Sequence, residues 1–193
     1  MGAYSTKLRT LAYQLMTEVS PGDASFLFAP LHPDVATILA CDRALGGPSI
    51  YSVESGGVGL YDVEDRDVFR PLQYIRTYLC MSPHDFAWVT REIVHTSGLH
   101  IEALVQRVGD VPRWPLGRAI RSVLAKRTLN ETTWLQICGF SSVYNAAKHE
   151  VAPEKDVHLF DSDDAVLAYL AARLLARKLL PYASLRTDLD TFR

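Results

Sequence analysis

Leu8, Leu11, Leu15 and Val19 recur at spacings of three and four, the repeat of one helical face, and predict a first helix over residues 4–19 that Pro21-Gly22 ends. The same period puts Val35, Ile38 and Leu39 on one side of a second helix over 34–45, closed by Gly46-Gly47-Pro48. Between residues 50 and 63 the pattern changes. Ile50, Tyr51 and Val53, then Val58, Leu60, Tyr61 and Val63, flank Ser55-Gly56-Gly57 and predict a small β-hairpin inserted at 49–65.

The helical period resumes after the acidic stretch Asp62 to Asp67, with Phe69, Leu72, Ile75 and Leu79 leading to Cys80. Ser82-Pro83 then reads as an N-cap with proline in the first turn. It opens a helix to about Val108, with Phe86, Val89, Ile93, Leu104 and Val108 in one apolar stripe. A shorter helix from Pro115 to about Thr128 is expected to bury Leu116, Ile120, Val123 and Leu124. The next starts at Glu131, turns Ile137, Phe140 and Tyr144 to the core, and must stop before Pro153. Asp161-Ser162-Asp163-Asp164 supplies caps and first-turn carboxylates for a last helix through Leu180. That helix is apolar on all sides up to Ala172, which predicts a central position. The pattern therefore describes an all-α (mainly) single domain over 1–193, a bundle of six to seven helices carrying one β-hairpin.

Composition narrows the functions open to such a bundle. The chain of 193 residues is 48% hydrophobic, enough for one sizeable core. Its 20 Lys plus Arg nearly cancel 22 Asp plus Glu, so no overall basic field draws it to nucleic acid or to an anionic membrane, and any such contact must use a local patch. Cys41, Cys80 and Cys138 contain no CxxC pair, which argues against a disulfide framework and a structural zinc site and fits a reducing, cytoplasmic setting. No apolar segment has the length of a membrane span. No metal and no cofactor are expected: HExxH is absent, and Ser55-Gly56-Gly57-Val58-Gly59 lacks the Lys-Ser/Thr of a phosphate-binding loop.

The candidate chemistry lies in the sixth predicted helix, in Tyr144-Asn145-Ala146-Ala147-Lys148-His149. Cys138, Ser142, Asn145 and His149 follow one another at four, three and four residues, a small and polar stripe beside the core face. His149 can transfer a proton, Asn145 can orient the ring or a phosphate, and Lys148 lowers the cost of negative charge nearby. The same histidine also suits a purely structural place, since its charged form interacts favourably with a helix C-terminus. A Cys138–His149 dyad is excluded by a separation of about 16 Å at 1.5 Å per residue.

Three further features stand out. Arg173 interrupts the otherwise apolar last helix and shares a face with Tyr169 and Arg177, which predicts a specific target, either a ligand or a carboxylate such as Glu102. His100 falls on the Phe86, Ile93 and Leu104 stripe beside Ser97 and should point inward, whereas Arg91, His95 and Glu102 share the opposite, more polar face. Finally, Arg113, Arg118, Arg121, Lys126 and Arg127, with Trp114 among them, occupy residues 111–130 without an acidic residue, the best candidate surface for nucleic acid.

The run Phe140 to His149, followed by the acidic-capped helix Asp163 to Leu180, resembles the HEPN superfamily of helical bundles, over residues 69–182 at most. In that family an Arg, a polar residue after it and a His four to six residues further on form a metal-independent ribonuclease site at a dimer interface. Asn145 and His149 match the polar residue and the histidine. The arginine does not match, because Ser142, Val143 and Tyr144 occupy its places. The resemblance implies a homodimer in which His149 moves a proton and Asn145 with Lys148 or Arg173 assists, with Tyr144 beside the substrate; the basic segment adds Arg118 and Arg121 as substrate contacts. The expected function is that of an RNA-directed protein, either a ribonuclease with an altered site or a relative that only binds RNA or nucleotide. The missing arginine and the slight net acidity favour the alternative, a non-catalytic interaction or scaffold protein with a protein partner, as in a defence or toxin–antitoxin system.

Overall fold

In the computed structural model, which describes residues 4–19, 35–50, 61–81, 83–126, 128–149 and 159–192, the last long helix is wrapped by four others. The described residues form α1 (Ser5–Val19), α2 (Val35–Leu45), α3 (Arg66–Leu79), α4 (Pro83–Gly109), α5 (Leu116–Ala125), α6 (Glu131–His149) and α7 (Ser162–Leu179). Every residue of α7 from Asp163 to Ala176 is buried, Arg173 included, in keeping with the central place that the apolar run up to Ala172 predicts. It packs against α1, α2, α4 and α6. The 27-residue α4 is a second spine, lying against α3, α5, α6 and α7.

Polar clasps fix the directions of these helices. Ser5 donates to Asp164 at 2.8 Å and Arg9 pairs with Asp163, while at the other end Lys178 pairs with Glu18, so α1 and α7 run parallel. Lys7 reaches Ser142 and Gln136 reaches Glu18, which makes α6 antiparallel to α1. The Arg91–Ala147 and Glu102–Tyr144 bonds set α6 antiparallel to α4 as well. Asp161 and Asp164 form a capping box at the start of α7, where the acidic run predicts one. The C-terminal segment folds back over α3: Asp65 accepts from the Arg186 and Thr187 amides, and Phe192 packs on Phe69.

Several expectations are revised. Among the described residues there is no strand, and residues 51–60 of the predicted hairpin lie outside them, as do Ser82, Arg127 and Pro153. The described flanks are tied to helices: the Ile50 amide donates to Tyr169 Oη at 3.3 Å and Tyr61 to Gln73 at 3.1 Å. The acidic stretch caps rather than links, for Asp62 accepts from the Glu64 amide and opens a 3-10 turn (Val63–Asp65) that feeds α3. Leu124, expected in the core, is 43% exposed. The buried positions of α5 are Leu116, Ala119, Ile120 and Val123, and Leu124 stands 100° beyond the last of them. Cys138 is half-buried at the edge of the core, and none of the three cysteines is bonded to another. No helix among the described residues is long and apolar enough to cross a membrane.

Candidate functional site

Glu102 is the residue around which the candidate site is assembled. Its Oε1 accepts the Leu116 amide at 2.8 Å, so a carboxylate from α4 caps α5, whose own N-cap residue, Pro115, makes no side-chain cap. Its Oε2 accepts from Tyr144 Oη at 2.6 Å, and Lys148 Nζ lies 3.8 Å from the same oxygen. Lys148 also reaches Tyr144 Oη at 3.5 Å and lies 5.3 Å from the centre of its ring. The basic helix α5 and the end of α6 are thus fastened to one side chain.

Tyr144 is the internal strut of this seam. Its ring stacks on His95 with centroids 5.7 Å apart and lies against the α4 backbone at Gly98. A methyl group at residue 98 would sit 1.9 Å from Tyr144 Cδ2, so only glycine lets α6 approach α4 this closely. Burial, and then the Glu102 hydrogen bond, push the Tyr144 phenol well above its ordinary value and keep it neutral. Burial also lowers His95, with Lys148 and Arg91 acting in the same direction against Glu92 and Glu102. Arg91 Nε donates to the Ala147 carbonyl at 2.8 Å, so a second cation meets the last turns of α6. Replacing Gly98 by alanine is expected to lower stability by about 1–3 kcal/mol through overpacking, while Gly139→Ala, which meets nothing within 4 Å, should raise it by up to about 1 kcal/mol. Urea unfolding of the two variants provides the comparison.

The residues predicted from the sequence divide into two groups. Asn145, Lys148 and His149 are exposed in the last two turns of α6, and neither Asn145 nor His149 makes a side-chain hydrogen bond or ion pair among the described residues. Arg118 and Arg121 are exposed on α5, with the Arg118 guanidinium 3.8 Å from the centre of the Trp114 ring. Lys126 is turned back to the Gly109 carbonyl and finishes α4. Tyr144 and Arg173, in contrast, are 1% and 0% exposed and reach no solvent. The carboxylate that meets Arg173 is Asp42, at 2.6 Å, not Glu102. His100 points inward as expected, and its Nδ1 donates to the Val68 carbonyl at 2.7 Å.

Glu102, His95, Arg91 and Gly98 were not marked as functional by the sequence. Arg91, His95 and Glu102 read as a solvated face because nothing in their spacing shows that α6 lies across it. Gly98, a lone glycine inside a 27-residue helix, was the one local sign of a close approach. Among the described residues no group of three or more His, Cys, Asp or Glu side chains converges as metal ligands do. No protein-family model, curated protein sequence or solved structure matches the chain.

Proposed function

We propose that this is an RNA-directed, HEPN-like protein whose binding face runs from Arg118 and Arg121 on α5 to Lys148 and His149 at the end of α6. The observation that carries the reading is the double bond-set of Glu102, which joins the basic helix and the Asn145–His149 cluster at one seam. Trp114 stacked under Arg118 adds an aromatic surface of the kind that single-stranded RNA uses. The cation that the resemblance seeks in place of the missing arginine is supplied by Lys148, with Arg91 behind it, and not by Arg173. A homodimer places two such faces together.

In the cleavage this arrangement suits, a ribose 2′-oxygen forms a bond to the adjacent phosphorus and the bond from phosphorus to the 5′-oxygen breaks. His149 takes the proton from the 2′-hydroxyl, water supplies one to the departing 5′-oxygen, and Lys148 offsets the negative charge on the phosphoryl oxygens. The test is a mixed RNA pool incubated in chelator with the protein and with His149→Ala. Cleavage abolished in the variant is the expected result; cleavage retained by it removes His149 from the chemistry. Binding without cleavage in both leaves a non-catalytic relative. RNA affinity should also fall steeply with salt, and Arg118→Ala with Arg121→Ala should lower the slope of log K against log salt by about 1.4–1.8. Binding indifferent to salt and to both arginines would leave the interaction or scaffold protein as the better reading.

A further inference from the structure

Between α4 and α5 the chain is held in backbone conformations that its side chains resist. Asp110 and Arg113 have positive φ, 51° and 65°, a strained region for residues other than glycine. At Asp110 the strain closes α4, because the Val111 amide donates to the Gln106 carbonyl at 3.0 Å and the Asp110 amide to the Arg107 carbonyl at 3.4 Å, a helix ending that usually carries glycine. At Arg113 it shapes the turn Val111-Pro112-Arg113-Trp114, in which the Trp114 amide donates to the Val111 carbonyl at 3.3 Å. Proline second and a positive φ third is the type II pattern, where glycine is the usual third residue. Gln106 Nε2 then donates to the Trp114 carbonyl at 2.7 Å, and Glu102 holds the Leu116 amide at 2.8 Å. Trp114 is thus pinned on both sides along the chain, with its half-buried indole packed against the core.

What this rigid indole positions is Arg118. The Arg118 guanidinium lies 3.8 Å from the centre of the ring, the spacing of two stacked planes, on a helix that carries no carboxylate along its length. Asp110 and Glu131 border the basic segment, so charge alone does not single out Arg118; the fixed plane does. A guanidinium laid on an indole keeps its N–H edges for phosphate oxygens and turns its outer face to solvent. An unpaired base stacks on such a face, as it does on an aromatic ring. A duplex keeps its bases inside the helix and offers this face nothing but phosphates. Arg121, three residues on and equally exposed, stacks on no ring among the described residues and provides the comparison.

We propose that the Arg118 guanidinium, held flat by Trp114, is a stacking subsite for one unpaired base, so that the α5–α6 face selects single-stranded over double-stranded RNA. The inference rests on the RNA reading of that face and adds the form of RNA that it takes. The test is a fluorescent RNA of about 12 nucleotides, single-stranded and annealed to its complement, titrated with the full chain, with Arg118→Lys and with Arg121→Lys. The single strand should bind at least tenfold more tightly than the duplex. Both lysine variants keep the positive charge, so the slope of log K against log salt should not move. Arg118→Lys should nevertheless weaken the single strand about tenfold, the size of one base-stacking contact, and change the duplex little. Arg121→Lys should change neither. Arg118 is exposed, so lysine in its place leaves the fold intact. Equal binding of the two RNA forms overturns the subsite, and so does an Arg118→Lys loss that falls equally on both or is matched by Arg121→Lys; each of these results leaves an RNA contact made by charge alone. Binding of neither form removes the RNA reading and the subsite with it.

Discussion

Replacing Arg173 by methionine is expected to cost about 3–5 kcal/mol, because it strands a carboxylate in the middle of the bundle. Arg173 and Asp42 are both 0% exposed. Arg173 Nε donates to Asp42 Oδ1 at 2.6 Å and Nη2 donates to the Gly46 carbonyl at 2.8 Å, while Tyr169 Oη donates to Asp42 Oδ2 at 2.7 Å. Gly46 and Gly47, at φ of 65° and 69°, turn the chain out of α2 so that this carbonyl faces the guanidinium. Without the arginine, Asp42 keeps one hydrogen bond and loses its counter-charge. Out of a stability of ordinary size for a single domain, about 5–15 kcal/mol, that loss removes from about a fifth to all. Pairing the change with Asp42→Leu should recover most of the loss, since two apolar residues remove the stranded charge. Urea unfolding of the single and double variants measures both effects. An Arg173→Met protein with unchanged stability but weakened RNA binding would restore Arg173 to the role that the HEPN resemblance gives it.

Asp42 shows where sequence reading ends. Arg173 announced itself as a charge in an apolar helix, and its need for a specific partner followed. The partner lies 131 residues away on α2, at a position that shares the apolar stripe of Ile38 and Leu45 but does not itself show which helix covers it. Glu102 presents the same difficulty in reverse, since its spacing from Arg91 and His95 describes a polar face, and only the packing of α6 turns that face into a seam. The helices themselves were legible because apolar period, proline and glycine act within a few residues. Their ends agree with the pattern to within a few residues, except where α5 stops at Ala125 and Lys126 turns to the carbonyl of Gly109. The exposed triad Asn145, Lys148 and His149 was legible as a cluster because its members share one helix end, whereas the neutral, buried state of Tyr144 depends on three other helical positions.

Acid should destabilise the fold through His100, by about 3 kcal/mol between pH 6.5 and pH 4. Burial is the main cause of the lowered value of this histidine, which drops from 6.5 to about 4, and the nearby Arg173 adds to the effect against the Val68 carbonyl. The unfolded chain takes up a proton near pH 6.5 that the folded state refuses until about pH 4, so the contribution of neutral His100 is complete above pH 6.5 and drains away as pH falls. Asp164 works in the opposite direction. Burial raises it to about 6, so the folded state holds a proton that the unfolded chain has released, and stability from this group is present at low pH and lost as pH rises through 6. Asp164 is buried as well, so its opposing contribution is of similar order and the two partly cancel in the unsubstituted protein, which makes the histidine substitution the informative comparison. His100→Asn keeps a donor for the Val68 carbonyl and removes the titration. Its unfolding free energy should therefore fall with rising pH between pH 4 and 6.5, following Asp164 alone, whatever its absolute value. An acid slope equal to that of the unsubstituted protein would place the titrating group elsewhere.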